Sequence, residues 1–418
     1  MNPASLVIPV VLGLILAKWG VELWLARLNQ RHVRANAGAV PAAYKETVDA
    51  STYVKSVEYT LARNKLNQIE ASYDTAVLLL VLFSGLLPWG FNLSAHRLGE
   101  SAWAMAVFLF VAGVAQAMPG LPFDWYAQFR LEERFGFNTT TAKLWWTDKL
   151  KGLLLGMTLG YPLLVLVLKL VEWTAAAWWL WAWGCVLAFQ LLMVVLAPIL
   201  ILPLFNKFTL LPEGSLRDRL LALGSRTGFR AKSIQVMDGS KRSRHSNAFF
   251  TGFGRFRKIV LFDTLIQQLA EAELEAVLAH EIGHYKKKHI PKMLIGFAAS
   301  LFVGFFAVSS LAQQAWFYRA FGFEPDHLVP ALLLFALLSG VVTFWFSPVQ
   351  NLWLRRYEYQ ADAYAAETMR ETTYLIGALR KLNAKNLSNL TPHPFYSGVY
   401  YSHPTLLERE QALARTTA

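Results

Sequence analysis

Length, composition and charge set the first limits on this chain. Its 418 residues are 55% hydrophobic and only 16% charged, whereas about a quarter of the residues in a soluble globular protein are charged. The composition therefore predicts several membrane spans and a lipid bilayer as partner. The formal net charge of +12 does not indicate nucleic acid, because basic residues of membrane proteins collect in cytoplasmic loops beside anionic lipid. The single cysteine, Cys185, excludes an intramolecular disulfide and a cysteine-based metal cluster.

Seven apolar stretches are long enough, or nearly so, to cross a bilayer, which takes about 20 residues. The first has no basic segment before it and no small-residue cleavage site after it, so we expect a span and not a cleavable signal peptide. In chain order the stretches lie near 4–25, 75–92, 102–118, 152–171, 175–202, 293–313 and 328–347.

Lysine and arginine alternate between rich and poor connections along these spans. The loop at 26–74 holds seven, the loop at 119–151 five, the loop at 203–292 sixteen and the C-terminal tail eight, while the connections between them are poor. Basic loops stay in the cytoplasm. We therefore expect the N-terminus outside, the loop at 203–292 and the C-terminus in the cytoplasm, and either a bacterial inner membrane or the endoplasmic reticulum as location.

The large loop after the fifth span has the pattern of a small α/β unit. Apolar periodicity predicts a helix at Ser215–Thr227 and a second helix at 270–288, whose first turns are acidic. Glycines at 239, 252 and 254 mark turns. The predicted strands are Ser233–Met237, Ala248–Thr251 and Lys258–Phe262.

The helix at 270–288 contains His280-Glu-Ile-Gly-His284. Residues four apart lie on one helix face, so both imidazoles can bind one ion. Glu281 is then placed to take a proton from the zinc-bound water and to pass it to the leaving amine. Gly283 leaves space for the backbone of another element. The motif also occurs by chance on exposed helices, but the apolar neighbours here argue against exposure.

A catalytic zinc takes three protein ligands and keeps a fourth position for water. Glu358, on a helix that follows the seventh span, is the predicted third ligand. Asp362 lies one turn later on the same face, where it can accept a hydrogen bond from a ligand histidine. The alternative is that both acids are solvated residues of an amphipathic helix. We expect one Zn²⁺ per chain.

Several motifs in the same order resemble one family. They are HEIGH at 280–284, RRYEYQADAYA at 355–365, YSHPTLLER at 401–409, PGLPFDWYAQFRLEERFGFNTTT at 119–141 and SNAFFTG at 246–252. Together they resemble the integral-membrane CAAX prenyl proteases of the zinc type. The resemblance implies a mainly α membrane protein with seven transmembrane helices and a small cytoplasmic α/β, zincin-like metalloprotease unit.

The resemblance also implies roles at matching positions. His403 would be catalytic and stabilise the tetrahedral intermediate, and Arg409 would be a structural or substrate-facing cation. Asn247 would bind substrate beside an edge strand, by β-augmentation. The alternatives are a capping or core histidine at 403, and a salt bridge from Arg409 to Glu408 or Asp362.

These observations predict a division of the chain and a function. Spans one to five occupy 1–202, the catalytic unit 203–292, spans six and seven 293–347, and a tail that completes the zinc site 348–418. We expect a zinc metalloendopeptidase that cuts peptide or protein substrates, with CAAX-type prenylated C-termini as the favoured substrates. The alternatives are a quality-control protease for membrane proteins and, in another class, a multi-pass transporter with a structural zinc. A sensor-transducer peptidase fits less well because the external loops are short.

Two further histidines are expected outside the site. His289 follows His284 by five residues, so it is predicted off the ligand face and at the membrane interface. His245 stands in a basic run, KRSRH, which is typical of a solvated loop.

Overall fold

Apolar runs fold as helices inside a membrane because every backbone N–H and C=O group there has to find its partner within the segment. One bent pair, Ala50–Phe83 with Leu86–Leu98, is apolar enough to count as one span. The chain is a mainly helical membrane protein, and among the residues that the structure describes five helices, or six with that pair, are able by length and composition to cross a bilayer. The five are Leu6–Ala35, Ala102–Glu132, Ala142–Phe205, His289–Leu311 and Leu328–Met369.

The computed structural model describes residues 3–45, 47–229, 232–251 and 258–416. The turns predicted at glycines 252 and 254 lie outside these residues.

The first two helices run far beyond the apolar segments predicted from the sequence. Helix α1 (Pro3–Ala35) packs against α2 (Ala50–Phe83), and Asp49 caps α2 by accepting a 2.9 Å hydrogen bond from the backbone N–H of Thr52. The predicted span at 75–92 is not one straight helix. It breaks at Gly85, whose φ of 80° lies in the left-handed region, and α3 (Leu86–Leu98) leaves at an angle of 56°.

The helical run at 142–205 contains a sharp turn. Ala175 has a φ of 45°, and helices α7 and α8 on either side of it pack against one another. The elements of this region are α4 (Ala102–Ala117), α5 (Leu121–Tyr126), a π-helical segment (Ala127–Glu132), α6 (Ala142–Leu155), a π-helical segment (Gly156–Gly160), α7 (Tyr161–Thr174), α8 (Trp178–Leu196), a π-helical segment (Ala197–Ile201) and α9 (Leu202–Phe205).

The predicted α/β unit is present as a four-stranded sheet with helices. Its strand order is β1-β2-β4-β3, with β2 and β4 parallel and the outer pairs antiparallel. Strand β1 was not predicted, because three residues are too short for an alternating pattern. The elements are β1 (Phe208–Leu210), α10 (Ser215–Thr227), β2 (Ser233–Met237), β3 (Ala248–Thr251), β4 (Lys258–Phe262) and α11 (Asp263–Gln268).

The remaining elements are all helical, and they bring the two ends of the predicted site together. Helix α12 packs against α16, and α16 also contacts α18 and α19. The helices are α12 (Glu271–Lys286), α13 (His289–Leu311), α14 (Ala315–Arg319), α15 (Leu328–Thr343), α16 (Ser347–Met369), α17 (Thr373–Lys385), α18 (Pro394–Tyr400) and α19 (Leu406–Thr416).

Gly283 allows α12 and α16 to approach closely. A Cβ atom at this position would lie 3.0 Å from both Cα and O of Ala361. The space that the sequence predicted at this glycine is therefore occupied by the backbone of α16.

A single apolar core supports the α/β unit and the helices that carry the site. Side chains from the sheet, α10, α12 and α17 pack together with residues that precede or begin α2. The largest fully buried side chains of this core are Tyr44, Tyr53, Leu220, Leu223, Phe229, Leu261, Leu265, Leu274 and Ile282.

Candidate metal centre

Helix α12 presents both motif histidines toward α16. The helix begins with the N–H of Ala270 donating to Oε2 of Glu273 at 2.8 Å, so its acidic first turn also caps it. His280 is only 7% exposed, and its neighbour Ala279 is fully buried. The alternative of an exposed helix with two solvated histidines is therefore wrong.

The polar ends of three side chains form a small triangle. The Nε2 atoms of His280 and His284 are 3.1 Å apart, and they lie 3.5 and 3.3 Å from the carboxylate oxygens of Glu358. The three ligand atoms all lie within 4.8 Å of one another. These are the three residues that the sequence predicted as ligands, and together they can hold a metal ion.

The triangle has the dimensions that zinc requires. Zinc binds nitrogen and carboxylate oxygen at about 2.0–2.1 Å in a tetrahedron, so its ligand atoms are separated by about 3.3 Å. Oε2 of Glu358 is buried and accepts no hydrogen bond from the residues that the structure describes. A buried carboxylate oxygen without a hydrogen bond is costly, and a cation at this point would satisfy it.

The Nδ1 atom of His280 points away from the triangle, toward a carboxylate. It lies 2.8 Å from Oδ1 of Asp362, the hydrogen bond anticipated for this residue. Arg409 donates to Asp362 through Nε at 2.8 Å and through Nη2 at 2.5 Å. Of the alternatives for Arg409, the salt bridge to Asp362 is the arrangement found. Burial lowers the pKa of Arg409, but its bonds to Asp362 raise the pKa above its ordinary value on balance.

Glu281 stands next to the first ligand on α12. Burial raises the pKa of its carboxyl above the ordinary value, although the two neighbouring histidines oppose this change. A raised pKa makes the carboxylate a stronger base, as a general base requires.

His403 lies at the open side of the triangle. Its Nε2 is 3.5 Å from Oε1 of Glu358, its Nδ1 is 3.0 Å from the hydroxyl of Ser402, and two thirds (66%) of its side chain is exposed. A core histidine would be covered, so that alternative does not describe it.

Asn247 stands at the start of β3, which is an edge strand of the sheet. Its side chain is exposed, and its Oδ1 accepts a 2.8 Å hydrogen bond from the N–H of Ala248. Strand β3 also contacts α12. The edge strand β3 therefore lies beside the helix that carries the histidines.

His289 was predicted to lie off the ligand face, but the structure places it against His284. It is 1% exposed, its Nδ1 lies 3.0 Å from Nδ1 of His284, and its Nε2 lies 2.9 Å from Oε1 of Gln360. The spacing argument failed because α12 ends before His289 and the chain turns back. The signal was a third histidine shortly after the motif, together with a glutamine between Glu358 and Asp362.

His245 is likewise not in a solvated loop. Its ring stacks on Phe137 with centroids 4.1 Å apart, and its nitrogens lie 3.2 Å from Glu132 and 3.2 Å from Asn386. Tyr59 donates a 2.6 Å hydrogen bond to the same glutamate. This cluster joins α2, the connection before α6, and the region after α17 to the α/β unit.

Two family models match consecutive parts of the chain. The first, described as the CAAX prenyl protease N-terminal region with five membrane helices, matches residues 29–207. The second, described as peptidase family M48, matches residues 211–417 and includes every candidate site residue.

Individual relatives are similar over nearly the whole chain. CAAX prenyl protease 1 of Saccharomyces cerevisiae is 34% identical, over 97% of this chain and 94% of that protein. The Homo sapiens CAAX prenyl protease 1 homolog is 30% identical, over 96% of this chain and 94% of that protein. The crystal structure of S. mikatae Ste24p superimposes with a TM-score of 0.90 at 33% identity, over 96% of this chain and 98% of that chain.

Proposed function

The chain belongs to peptidase family M48 and is a membrane zinc metalloendopeptidase, and we propose that its substrates are CAAX-type prenylated proteins, cut near their C-termini. The observation that carries the proposal is the triangle of His280, His284 and Glu358, with spacings that fit zinc. The relatives of S. cerevisiae and Homo sapiens, which match over nearly their full length, supply the substrate class.

The residues of the triangle would hold one zinc ion per chain. When bound, zinc supplies Lewis acidity and lowers the pKa of a coordinated water to about 7. Glu281, adjacent to the first ligand, is the general base and later passes the proton to the leaving amine. His403 faces the open side of the triangle and donates a hydrogen bond to the oxyanion of the tetrahedral intermediate. Its exposure allows it to reach substrate.

Asp362 and Arg409 hold the histidine ligand His280 in position. Asp362 accepts from Nδ1 of His280, which leaves the Nε2 lone pair of that histidine for the metal. Arg409 keeps Asp362 ionised and in place through two hydrogen bonds. Its Nη1 is also 3.8 Å from Oε2 of Glu358, so a contact with substrate would be secondary to this supporting role.

The edge of β3 would bind the substrate backbone. An extended peptide adds to a free sheet edge through main-chain hydrogen bonds. Asn247 stands at the start of this edge with an exposed amide, which supports substrate binding there.

For the membrane topology we propose seven spans, with the N-terminus outside and the catalytic unit in the cytoplasm. The turn at Ala175 divides the run at 142–205 into two crossings, and the bent pair around Gly85 supplies one more. The alternation of lysine and arginine supports the orientation. The proposed parts are spans one to five at 1–202, the zincin-like unit at 203–292, spans six and seven at 293–347 and the completing tail at 348–418.

The test is a cleavage assay on purified chain in lipid, with a farnesylated CAAX peptide and a non-prenylated membrane protein as competing substrates. We expect cleavage of the farnesylated peptide, and none by Glu281→Gln, because the amide cannot accept the proton. Cleavage retained in Glu281→Gln would contradict the mechanism. Preference for the non-prenylated protein would contradict only the substrate class and favour a quality-control role.

A further inference from the structure

The chain turns sharply between α12 and α13, and this turn buries His289 beside the metal triangle. Lys288 adopts a φ of 56°, in the left-handed region that a non-glycine residue rarely visits. This turn places His289, the first residue of α13, below His284, where it is 1% exposed. Its ring stacks on Tyr357 of α16 with centroids 4.3 Å apart and an interplanar angle of 15°.

Both ring nitrogens of His289 have partners. Nδ1 lies 3.0 Å from Nδ1 of His284, and Nε2 lies 2.9 Å from Oε1 of Gln360. A neutral imidazole has one donor and one acceptor nitrogen. The hydrogen bond on one side of the ring therefore decides the role of the other side.

The direction of this chain of hydrogen bonds follows from the triangle. A histidine that binds a metal through Nε2 carries its proton on Nδ1, so His284 donates and Nδ1 of His289 accepts. His289 then carries its proton on Nε2 and donates to Gln360, which has to present its carbonyl oxygen. The oxygen of Gln360 is the atom found there.

We propose that His289 is a positioning residue for the metal centre, and that Gln360 fixes the direction of the relay that holds His284 in its metal-binding tautomer. This inference rests on the proposed zinc site and extends it. The opposite direction would place a proton on Nε2 of His284, inside the triangle, and a protonated nitrogen cannot bind a metal. Partners of ligand histidines orient the ring and strengthen metal binding in this way.

Zinc affinity of the full-length chain, measured by chelator competition, tests the relay. We expect His289→Leu to lower zinc affinity by about 10- to 100-fold and to shift the visible absorption bands of the Co²⁺-loaded protein. His289→Asn should restore most of the affinity, because its side-chain oxygen stands where Nδ1 of the imidazole stands and can accept from His284.

A second variant and a control separate the relay from a packing effect. Gln360→Met removes the acceptor at the end of the relay and leaves the buried histidine in place, so zinc affinity should again fall, by about 10-fold. His245→Leu is the matched control. That histidine is also stacked on an aromatic ring and bonded through both nitrogens, but it lies outside the metal triangle. Its loss should leave zinc affinity unchanged.

Three results would overturn the inference. Zinc affinity and a cobalt spectrum unchanged in both His289→Leu and Gln360→Met would show that the relay has no effect on the metal. An equal loss in the asparagine and leucine variants would assign the effect to ring packing. Wild-type chain that binds no zinc would overturn the proposed function as well. This result is recognised from the wild-type measurement alone, whereas the first two results require the variants.

Discussion

The two ligand histidines are supported in different ways. Behind His280 lies a charged pair, because Asp362 accepts from its Nδ1 and is itself held by Arg409. Behind His284 lies a neutral relay through His289 to Gln360. The carboxylate strengthens its histidine as a ligand and carries a large desolvation cost, whereas the relay only selects a tautomer. We therefore expect changes on the charged side to affect both stability and metal binding, and changes on the neutral side to affect mainly the metal.

The largest effect should come from removing Arg409 alone. Arg409→Leu leaves Asp362 as a buried carboxylate without its charged partner, which costs about 3–5 kcal/mol of unfolding free energy. Thermal unfolding of the purified chain measures this loss. The double variant Asp362→Asn, Arg409→Met removes both charges and should recover most of the stability, but not the zinc affinity.

A second, more exposed pair provides the control for this change. Arg380 donates to Glu410 through Nε at 2.7 Å and Nη2 at 3.0 Å. Arg380→Leu should cost clearly less than Arg409→Leu, because the side chains of this pair are 27% and 12% exposed, against 11% and 2% for Arg409 and Asp362. Equal losses of unfolding free energy in Arg380→Leu and Arg409→Leu would contradict the claim that Arg409 and Asp362 form a buried charged pair.

The second largest effect is the loss of zinc affinity that we expect when the charged pair behind His280 is changed. Asp362→Asn keeps the shape of the side chain but removes the negative charge behind His280. We expect zinc affinity to fall by up to about 100-fold, more than in Gln360→Met. Chelator competition on both variants measures the difference. A larger loss of zinc affinity in Gln360→Met than in Asp362→Asn would contradict the expectation that the charged pair contributes more to metal binding than the relay.

The distance between α12 and α16 affects the supports of both histidines, the charged pair behind His280 and the relay behind His284. Gly283→Ala brings a Cβ to 3.0 Å from the backbone of Ala361, so the helices have to separate. We expect a loss of about 1–2 kcal/mol in unfolding free energy together with weaker zinc binding. Gly340→Ala is the matched control, because a Cβ at this helical glycine meets nothing within 4 Å. A neutral result for Gly283→Ala would mean that the site does not depend on this close approach.

The smallest effect is the pH dependence of stability that Glu408 contributes, next to Arg409 on α19. Partial burial raises the pKa of Glu408, but hydrogen bonds from Thr405 and the charge of Arg355 lower the pKa below its ordinary value on balance. The ionised form therefore stabilises the fold above the ordinary carboxyl pKa of about 4.3, and this contribution is lost as the pH falls through the lowered value.

Glu408→Gln tests this contribution. Because the carboxylate is partly exposed, we expect the variant to lose only about 0.5–1 kcal/mol near pH 7. The difference in melting temperature from wild type should shrink below about pH 4. A difference that stays constant across this range would exclude the titration of Glu408 as its cause.

Much of the catalytic unit could be predicted because its patterns are local. The bounds of Ser215–Thr227 and of the three predicted strands agree with the structure, since turn glycines and apolar periodicity define them. The proximity of His280, His284 and Glu358 could be predicted as well, because one helix carries both histidines and a short acidic motif carries the glutamate. Strand β1 was missed, since it forms only by pairing with β2.

The parts that could not be predicted depend on the direction of the backbone. The left-handed turn at Lys288 brings His289 into contact with His284, and no spacing rule contains such a turn. The break at Gly85 divides a span in the same way. His245 appeared solvated because its partners, Phe137 among them, lie far away in sequence.

The measurement that tests the central claim most directly is the zinc content of purified chain after removal of loosely bound metal. We expect one zinc ion per chain in wild type and in Glu281→Gln, whose changed residue is not a ligand. Glu358→Ala removes the only carboxylate from the triangle, and its zinc content should fall far below that value. Full zinc content in Glu358→Ala, or none in wild type, would contradict a metal centre formed by α12 and α16.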